Sequence, residues 1–309
     1  MNSDDKNNSW FISDKATSKR KKQRPLENPN RGRKWDFHIG NLASLEETSL
    51  YNTLRILLPQ EEIIRNDRSL LKGNEIDIYL PERKLGFEYD GLVFHSSLKG
   101  KGPEYHLQKT ELAKEQGVRL VHVFEDEYLQ RRSQTTQALK NILKLYDAEI
   151  EAESCACQDV SPLEAYTFLN TYHIDMAGDQ VAYYLGLYCS GRLLALLAIR
   201  TDGEEGYEIY RYATVRDIHV HGGFAKLIQW YHQRFPHIPL FVKCDRRYWD
   251  GNMYQKAGFA FLENTPPTCW YTKDFSFRTL QPKKDLKENG EDVEGFYKIY
   301  DCGYGVWKY

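Results

Sequence analysis

Two short runs concentrate the groups that could do chemistry, Glu75-Ile76-Asp77-Ile78-Tyr79-Leu80 and Gly86-Phe87-Glu88-Tyr89-Asp90-Gly91. If both are strands joined by a two-residue turn at Glu82 and Arg83, opposed residues have numbers summing to 165, which pairs Asp77 with Glu88 on one face. Directly opposed Cβ atoms lie roughly 4.5–5.5 Å apart, and two carboxylates at that range repel unless a cation joins them. Hard oxygen ligands of this kind suit Mg²⁺, with Mn²⁺ as a substitute. The plainer alternative makes both residues ordinary solvent-facing strand acids. His95 follows Asp90 by five residues, and His106 and Lys109 stand three apart on one helix face. Together they form a hydrolytic set: carboxylates for a metal, a histidine to move protons, and an ammonium to offset charge on a phosphoryl group.

The elements that must position these groups follow from the hydrophobic pattern. Leu50, Leu54 and Leu57 predict an amphipathic helix over 42–58, stopped by Pro59. Strands are expected at 62–65, 75–80 and 85–89, with 66–74 as a polar connection, then a helix over 104–116 ended by Gly117, a buried strand over 119–124 and a helix over 134–146. The order αβββαβα describes one α/β unit with a small mixed sheet, residues 42–147. The acidic stretch 148–160 is expected to be a linker. A second, α+β unit over 161–309 carries a helix over 162–172, a hairpin turned at Gly191, a strand over 207–214, a helix opening at Gly223, a strand over 240–243 and a helix over 252–257. The aromatic C-terminal part reads as strands near Trp270 and Tyr297 to Tyr300.

The 309 residues are 41% hydrophobic and 28% charged, which excludes a wholly disordered chain, and no apolar run is long enough for a membrane span. The polar N-terminus lacks a secretory apolar region, so a cytoplasmic location is expected, in the host cell if phage-encoded. Six scattered cysteines fit free thiols. The net charge of −2 conceals a cationic segment. Lys15, Lys19, Arg20, Lys21, Lys22, Arg24, Arg31, Arg33 and Lys34 against Glu27 give +8 over 15–34 and −10 elsewhere. Residues 1–41 are therefore expected to be a disordered basic arm, serving either as a DNA-binding element or as a solvated tail.

The run from Ser44-Leu45-Glu46-Glu47 through Asn66-Asp67-Arg68, the two acidic strands, Phe94-His95-Ser96, Tyr105-His106 with Lys109, and Phe124-Glu125-Asp126-Glu127 resembles phage homing endonucleases related to very-short-patch-repair endonucleases. These are a branch of the PD-(D/E)XK nuclease fold. The resemblance implies a Mg²⁺-dependent, site-specific endonuclease acting on double-stranded DNA. Its candidate catalytic residues are Glu47, Asp77, Glu88, Asp90, His95, His106 and Lys109, with Asp77 and Glu88 as metal ligands. One departure stands out: Asp90 occupies the position where the fold's pattern has lysine. Glu47 is open to two roles, since Ser44 and Glu47 fit a capping box while Glu47, Leu50 and Leu54 also share one helix stripe.

The second unit resembles GNAT acyltransferases through the Gly191 hairpin, Gly222-Gly223-Phe224-Ala225-Lys226-Leu227 and Asn252 to Phe259. The usual Arg or Gln of the pyrophosphate loop is Val220 here, so no small-molecule cofactor is expected in this unit, and Gly222-Gly223 also reads as a tight turn. Arg246 and Arg247, next to Tyr248 and Trp249, are candidate phosphate contacts, with packing as the alternative. Two other functions are consistent with the sequence: an acetyl-CoA-dependent acyltransferase with a DNA-docking first unit, and a mismatch-directed repair nickase.

Overall fold

The computed structural model describes residues 39–202, 206–280 and 295–309. The cationic residues expected to bind DNA in the arm, Lys19, Arg20, Lys21, Lys22, Arg24, Arg31, Arg33 and Lys34, lie outside them. Helix α1 (Ile39–Leu57) buries Leu50 and Leu54 completely, as their spacing requires. It begins before Ser44, so Ser44 is not at the N-cap position that the capping-box alternative for Glu47 needs.

Strands β1 (Ile64–Leu71), β2 (Asn74–Leu80), β3 (Leu85–Asp90) and β4 (Arg119–Phe124) form a sheet in the order β1-β2-β3-β4. The first three run antiparallel, and β4 lies parallel to β3. The expected 165 register holds: Ile78 opposes Phe87, Tyr79 opposes Gly86 and Leu80 opposes Leu85. The turn spans 81–84 rather than two residues, with Lys84 at φ +50°. The stretch 66–74, expected to be a connection, is mostly strand; its polar side chains fit because β1 is a half-exposed edge strand with an irregular register. Helix α2 (Tyr105–Glu115) crosses between β3 and β4, followed by α3 (Glu125–Gln130) and α4 (Arg132–Leu143). One sheet face packs Ile78, Phe87, Tyr89, Val121 and Val123 against α1 and α4. All six residues of β3 are buried, including Glu88 and Asp90.

The expected linker is not one. Residues Ala148–Glu151 (β5) and Ala156–Asp159 (β6) are strands, with β6 on the edge of a second, seven-stranded sheet. Its acidic residues sit on exposed strand positions, which is why composition alone read as a linker. Ser161 caps α5 (Pro162–Tyr172), accepting from the Glu164 N–H at 3.3 Å. The hairpin β7 (Val181–Cys189) and β8 (Arg192–Asp202) turns through Ser190 and Gly191, both at positive φ, as a two-residue turn matched to strand twist requires. After β9 (Gly206–Thr214) come β10 (Ile218–His221), paired with β5, then α6 (Gly223–Arg234), β11 (Leu240–Asp245), α7 (Asn252–Lys256) and β12 (Ala260–Asn264). A two-stranded ribbon, β13 (Cys269–Thr272) and β14 (Tyr297–Tyr300), precedes β15 (Tyr304–Lys308). The seven-stranded order is β12-β15-β11-β9-β8-β7-β6.

Residues Leu42–Tyr309 form one compact unit, and buried ions tie the first sheet to the C-terminal part. Glu127 on α3 accepts from Arg247 and Arg278 at 2.7 Å each and from the Tyr248 hydroxyl at 2.9 Å. Asp126 binds the Arg278 Nε at 3.0 Å. Arg247 is 4% exposed, so it is not a phosphate contact; Tyr248 is buried and does not stack on bases. Arg246 is held by Glu111 and by the Cys302 carbonyl. The sequence left phosphate contact and packing open for both arginines; of their acidic partners only Asp245 is near in the chain, while Glu111 and Glu127 lie more than a hundred residues away. All six cysteines are free; Cys155, Cys244 and Cys302 are buried. Among the described residues, no helix is long and apolar enough to cross a membrane.

Burial alone would raise the Glu127 pKa, but Arg247 and Arg278 outweigh it and hold the carboxyl at about 2. The folded pKa is depressed, so this stabilisation is present above the ordinary carboxyl range and is lost as pH falls towards 2. Arg278→Ala should leave Glu127 and Asp126 short of a buried partner and lower urea stability by about 3–5 kcal/mol. A loss under about 1 kcal/mol would show that the network does not join the two parts.

Candidate functional site

Asp77 on β2 and Glu88 on β3 face the α2 side of the sheet. Together with Arg68, Glu75, His95, Tyr105 and Lys109 they line a cleft of about 330 Å³. Lys109, one turn along α2 from His106, forms an ion pair with Glu88 Oε2. Asp77 Oδ2 accepts the Tyr89 N–H at 2.8 Å. Glu88 Oε1 is buried and has no hydrogen-bond partner. One ammonium thus acts on both the buried Glu88 and the half-buried Asp77. Burial is the main cause that raises Asp77, to about 7, and it raises Glu88 well above the ordinary carboxyl range; Lys109 opposes both effects without cancelling them. The cluster is short of positive charge, and an unpartnered carboxylate oxygen on a residue that lines a polar cleft suits a hard cation.

The other expected residues divide. His95 lines the cleft, and burial holds its imidazole below the usual value despite Asp90. A neutral imidazole there can accept a proton. Asp90 is fully buried and does not line the cleft. Burial would raise its pKa, but His122, His106 and His95 together pull it well below the ordinary range. Asp90 therefore does not replace the missing lysine; the ammonium near Glu88 comes from Lys109 on α2 instead. His106 is also buried, with Nδ1 2.6 Å from the Tyr300 carbonyl and Nε2 2.9 Å from His95 Nδ1. Glu47 binds Arg65 at 2.7 Å, and its charge helps to raise Asp77.

Sequence reasoning missed His122. It lies in register with Glu88 on β4, fully buried, 2.9 Å from Asp90 Oδ2. An imidazole inside the otherwise apolar run Leu120 to Phe124 was the available signal, since a buried polar side chain requires a partner.

The second sheet has its own opening. The parallel β9–β11 pairing covers only Tyr207–Ile209 against Leu240–Val242, after which β9 continues along β8 alone. Helix α6 starts beside this region, with Gly222 at φ +71° as its N-cap.

Half of the chain aligns with solved GNAT acetyltransferases at low scores. An IAA acetyltransferase from Bacillus cereus aligns over 50% of this chain and 98% of its own, at 14% identity and a TM-score of 0.33. A GNAT family acetyltransferase from Elizabethkingia anophelis, with acetyl-CoA bound, aligns over 50% and 97%, at 12% identity and a TM-score of 0.33. A Bacillus subtilis acetyltransferase in complex with CoA gives 50% and 97%, at 13% identity and the same score. No family model matches the chain, and no curated protein matches it significantly. None of these comparisons supports the nuclease reading. At these identities and scores they also carry no argument about activity.

Asp77 keeps a proton in the folded chain up to about pH 7, while the unfolded residue ionises near 3.8. Folding therefore binds the extra proton in that window, and the metal-free chain should lose stability as pH rises through it. Added Mg²⁺ should raise the melting temperature more at about pH 8 than at about pH 6, and Asp77→Asn should abolish the difference. Equal Mg²⁺ shifts at both values would contradict this reading of the cleft.

Proposed function

We propose that this chain is a Mg²⁺-dependent, site-specific DNA endonuclease that hydrolyses phosphodiester bonds at the Asp77–Glu88 cleft. The observation that carries the reading is a half-buried Asp77 and a buried Glu88 lining one cleft, with Lys109 paired to Glu88 and Glu88 Oε1 left unpartnered. Asp77 and Glu88 would hold the ion, which when bound would polarise a phosphate oxygen and acidify a water. Lys109 offsets negative charge that develops on the phosphoryl group. His95, neutral and at the cleft, accepts the proton from the attacking water. Arg68 borders the same cleft and is exposed, which suits a phosphate backbone. The N-terminal cationic segment adds a sequence-independent DNA attraction. A repair nickase would use the same groups and differ in the number of strands cut.

A second reading is an acyltransferase with acetyl-CoA between β9 and β11, favoured by the divergence of those strands and the Gly222-Gly223 start of α6. Against it, Lys226 in the first turn of α6 donates to the carbonyls of Ala152 and Cys155 at 2.8 and 2.7 Å, and Ala152 packs against Gly222. Val220 is buried next to that turn.

Supercoiled plasmid carrying random inserts should be nicked or linearised with Mg²⁺ and left intact with EDTA. Asp77→Asn and Glu88→Gln should each reduce the rate by 10²-fold or more, about 2.7 kcal/mol of barrier. Full cleavage by both variants would remove the site. Saturable acetyl-CoA binding by calorimetry, with no metal-dependent cleavage, would move the activity to the second sheet.

A further inference from the structure

Behind the cleft lies a second cluster, and its hydrogen bonds leave it short of a cation. Asp90, His106 and His122 present ligand atoms that all lie within 4.8 Å of one another, and all three residues are buried. His122 Nδ1 is 2.9 Å from Asp90 Oδ2, and His106 Nε2 is 3.5 Å from Asp90 Oδ1. Metal–nitrogen bonds near 2.0–2.1 Å put neighbouring ligands on one ion roughly 3–3.4 Å apart.

The protons in the cluster are assigned to other partners. His106 Nδ1 faces a carbonyl, that of Tyr300 at 2.6 Å, so it carries the hydrogen and leaves Nε2 as a lone pair. Thr110 donates its hydroxyl proton to the His106 carbonyl at 2.9 Å, and so accepts from His122 Nε2 at 2.9 Å. His122 Nδ1 is then a second lone pair, aimed at a carboxylate. The Nδ1 hydrogen of His95 is directed to His106 Nε2 at 2.9 Å. Asp90 Oδ1, fully buried, has only ring nitrogens near it, His95 Nδ1 at 3.1 Å and His106 Nε2 at 3.5 Å. An ion bound to Asp90, His106 and His122 would take the place of that His95 hydrogen at His106 Nε2 and would stabilise the buried carboxylate.

We propose that Asp90, His106 and His122 form a second metal site, separate from the Asp77–Glu88 pair, that takes a divalent transition metal of the Zn²⁺ or Co²⁺ type. Two imidazoles and one carboxylate favour such an ion over Mg²⁺. Carbonyl and hydroxyl partners already fix the far nitrogen of each ring, as ligating histidines require. The ion ties β3, β4 and α2 together and, through the Tyr300 carbonyl, links them to the C-terminal ribbon.

The site does not depend on the proposed nuclease activity, and cobalt reads it directly. The full-length chain, stripped of metal, is titrated with Co²⁺ and followed by visible absorption and by elemental analysis. About one tightly held Co²⁺ per chain with a d–d band is expected, displaced by Zn²⁺ and unaffected by excess Mg²⁺. His122→Gln and His106→Gln, each checked for folding by circular dichroism, should lose the band, whereas Asp77→Asn should retain it. A folded wild-type chain with no band would overturn the proposal. So would a band that Asp77→Asn removes or that survives both histidine variants.

Discussion

Two neighbouring carboxyls, one buried and one half-buried, are an unfavourable arrangement unless positive charge is brought to them, and much of the first sheet can be understood from that constraint. The antiparallel register of β2 and β3 sets Asp77 and Glu88 on one face. The parallel β3–β4 crossover carries α2 over that face, which is how Lys109 reaches Glu88. Burial raises the pKa of Asp77 further than Lys109 lowers it, and Glu88 keeps one oxygen unpartnered, so the one ammonium leaves a deficit. The deficit costs stability in the metal-free chain, and the proposed cation would relieve it.

The C-terminal part belongs to this arrangement through contacts rather than sequence proximity. Asp301, itself buried, accepts from the Thr268 and Gly303 N–H groups and from the Trp270 indole. Gly303 takes φ +70°, where a Cβ would lie 2.4 Å from the Thr265 carbonyl oxygen. This tight turn brings the Tyr300 carbonyl onto His106 and Cys302 near Thr110. Arg247 and Arg278 fix α3 from the same side. The geometry of the histidine cluster is therefore set by residues nearly two hundred positions away.

Local patterns made much of the fold legible. Helix α5 spans the expected 162–172, β4 matches its apolar run, and the 165 register survived even though the turn is longer than expected. The polar strand β1 and the short strands β5 and β6 were not legible, because edge strands need little apolar surface and take their partners from distant sequence. Within the site, Asp77, Glu88, His95 and Lys109 could be read from type and spacing. Asp90 could be named but not oriented, since its direction depends on His122 across the sheet. Arg247 was misread because charge in a sequence says nothing about burial until its counterions are found, here Glu127 and Asp245.

The central claim is that the Asp77–Glu88 pair exists to hold a hard divalent cation. Crystals of the full chain soaked in Mn²⁺, with diffraction recorded for anomalous scattering, test it most directly. The account requires an anomalous peak within bonding distance of a carboxylate oxygen of each residue, absent from Asp77→Asn crystals treated identically. A clean map with both side chains ordered and no peak between them would contradict it.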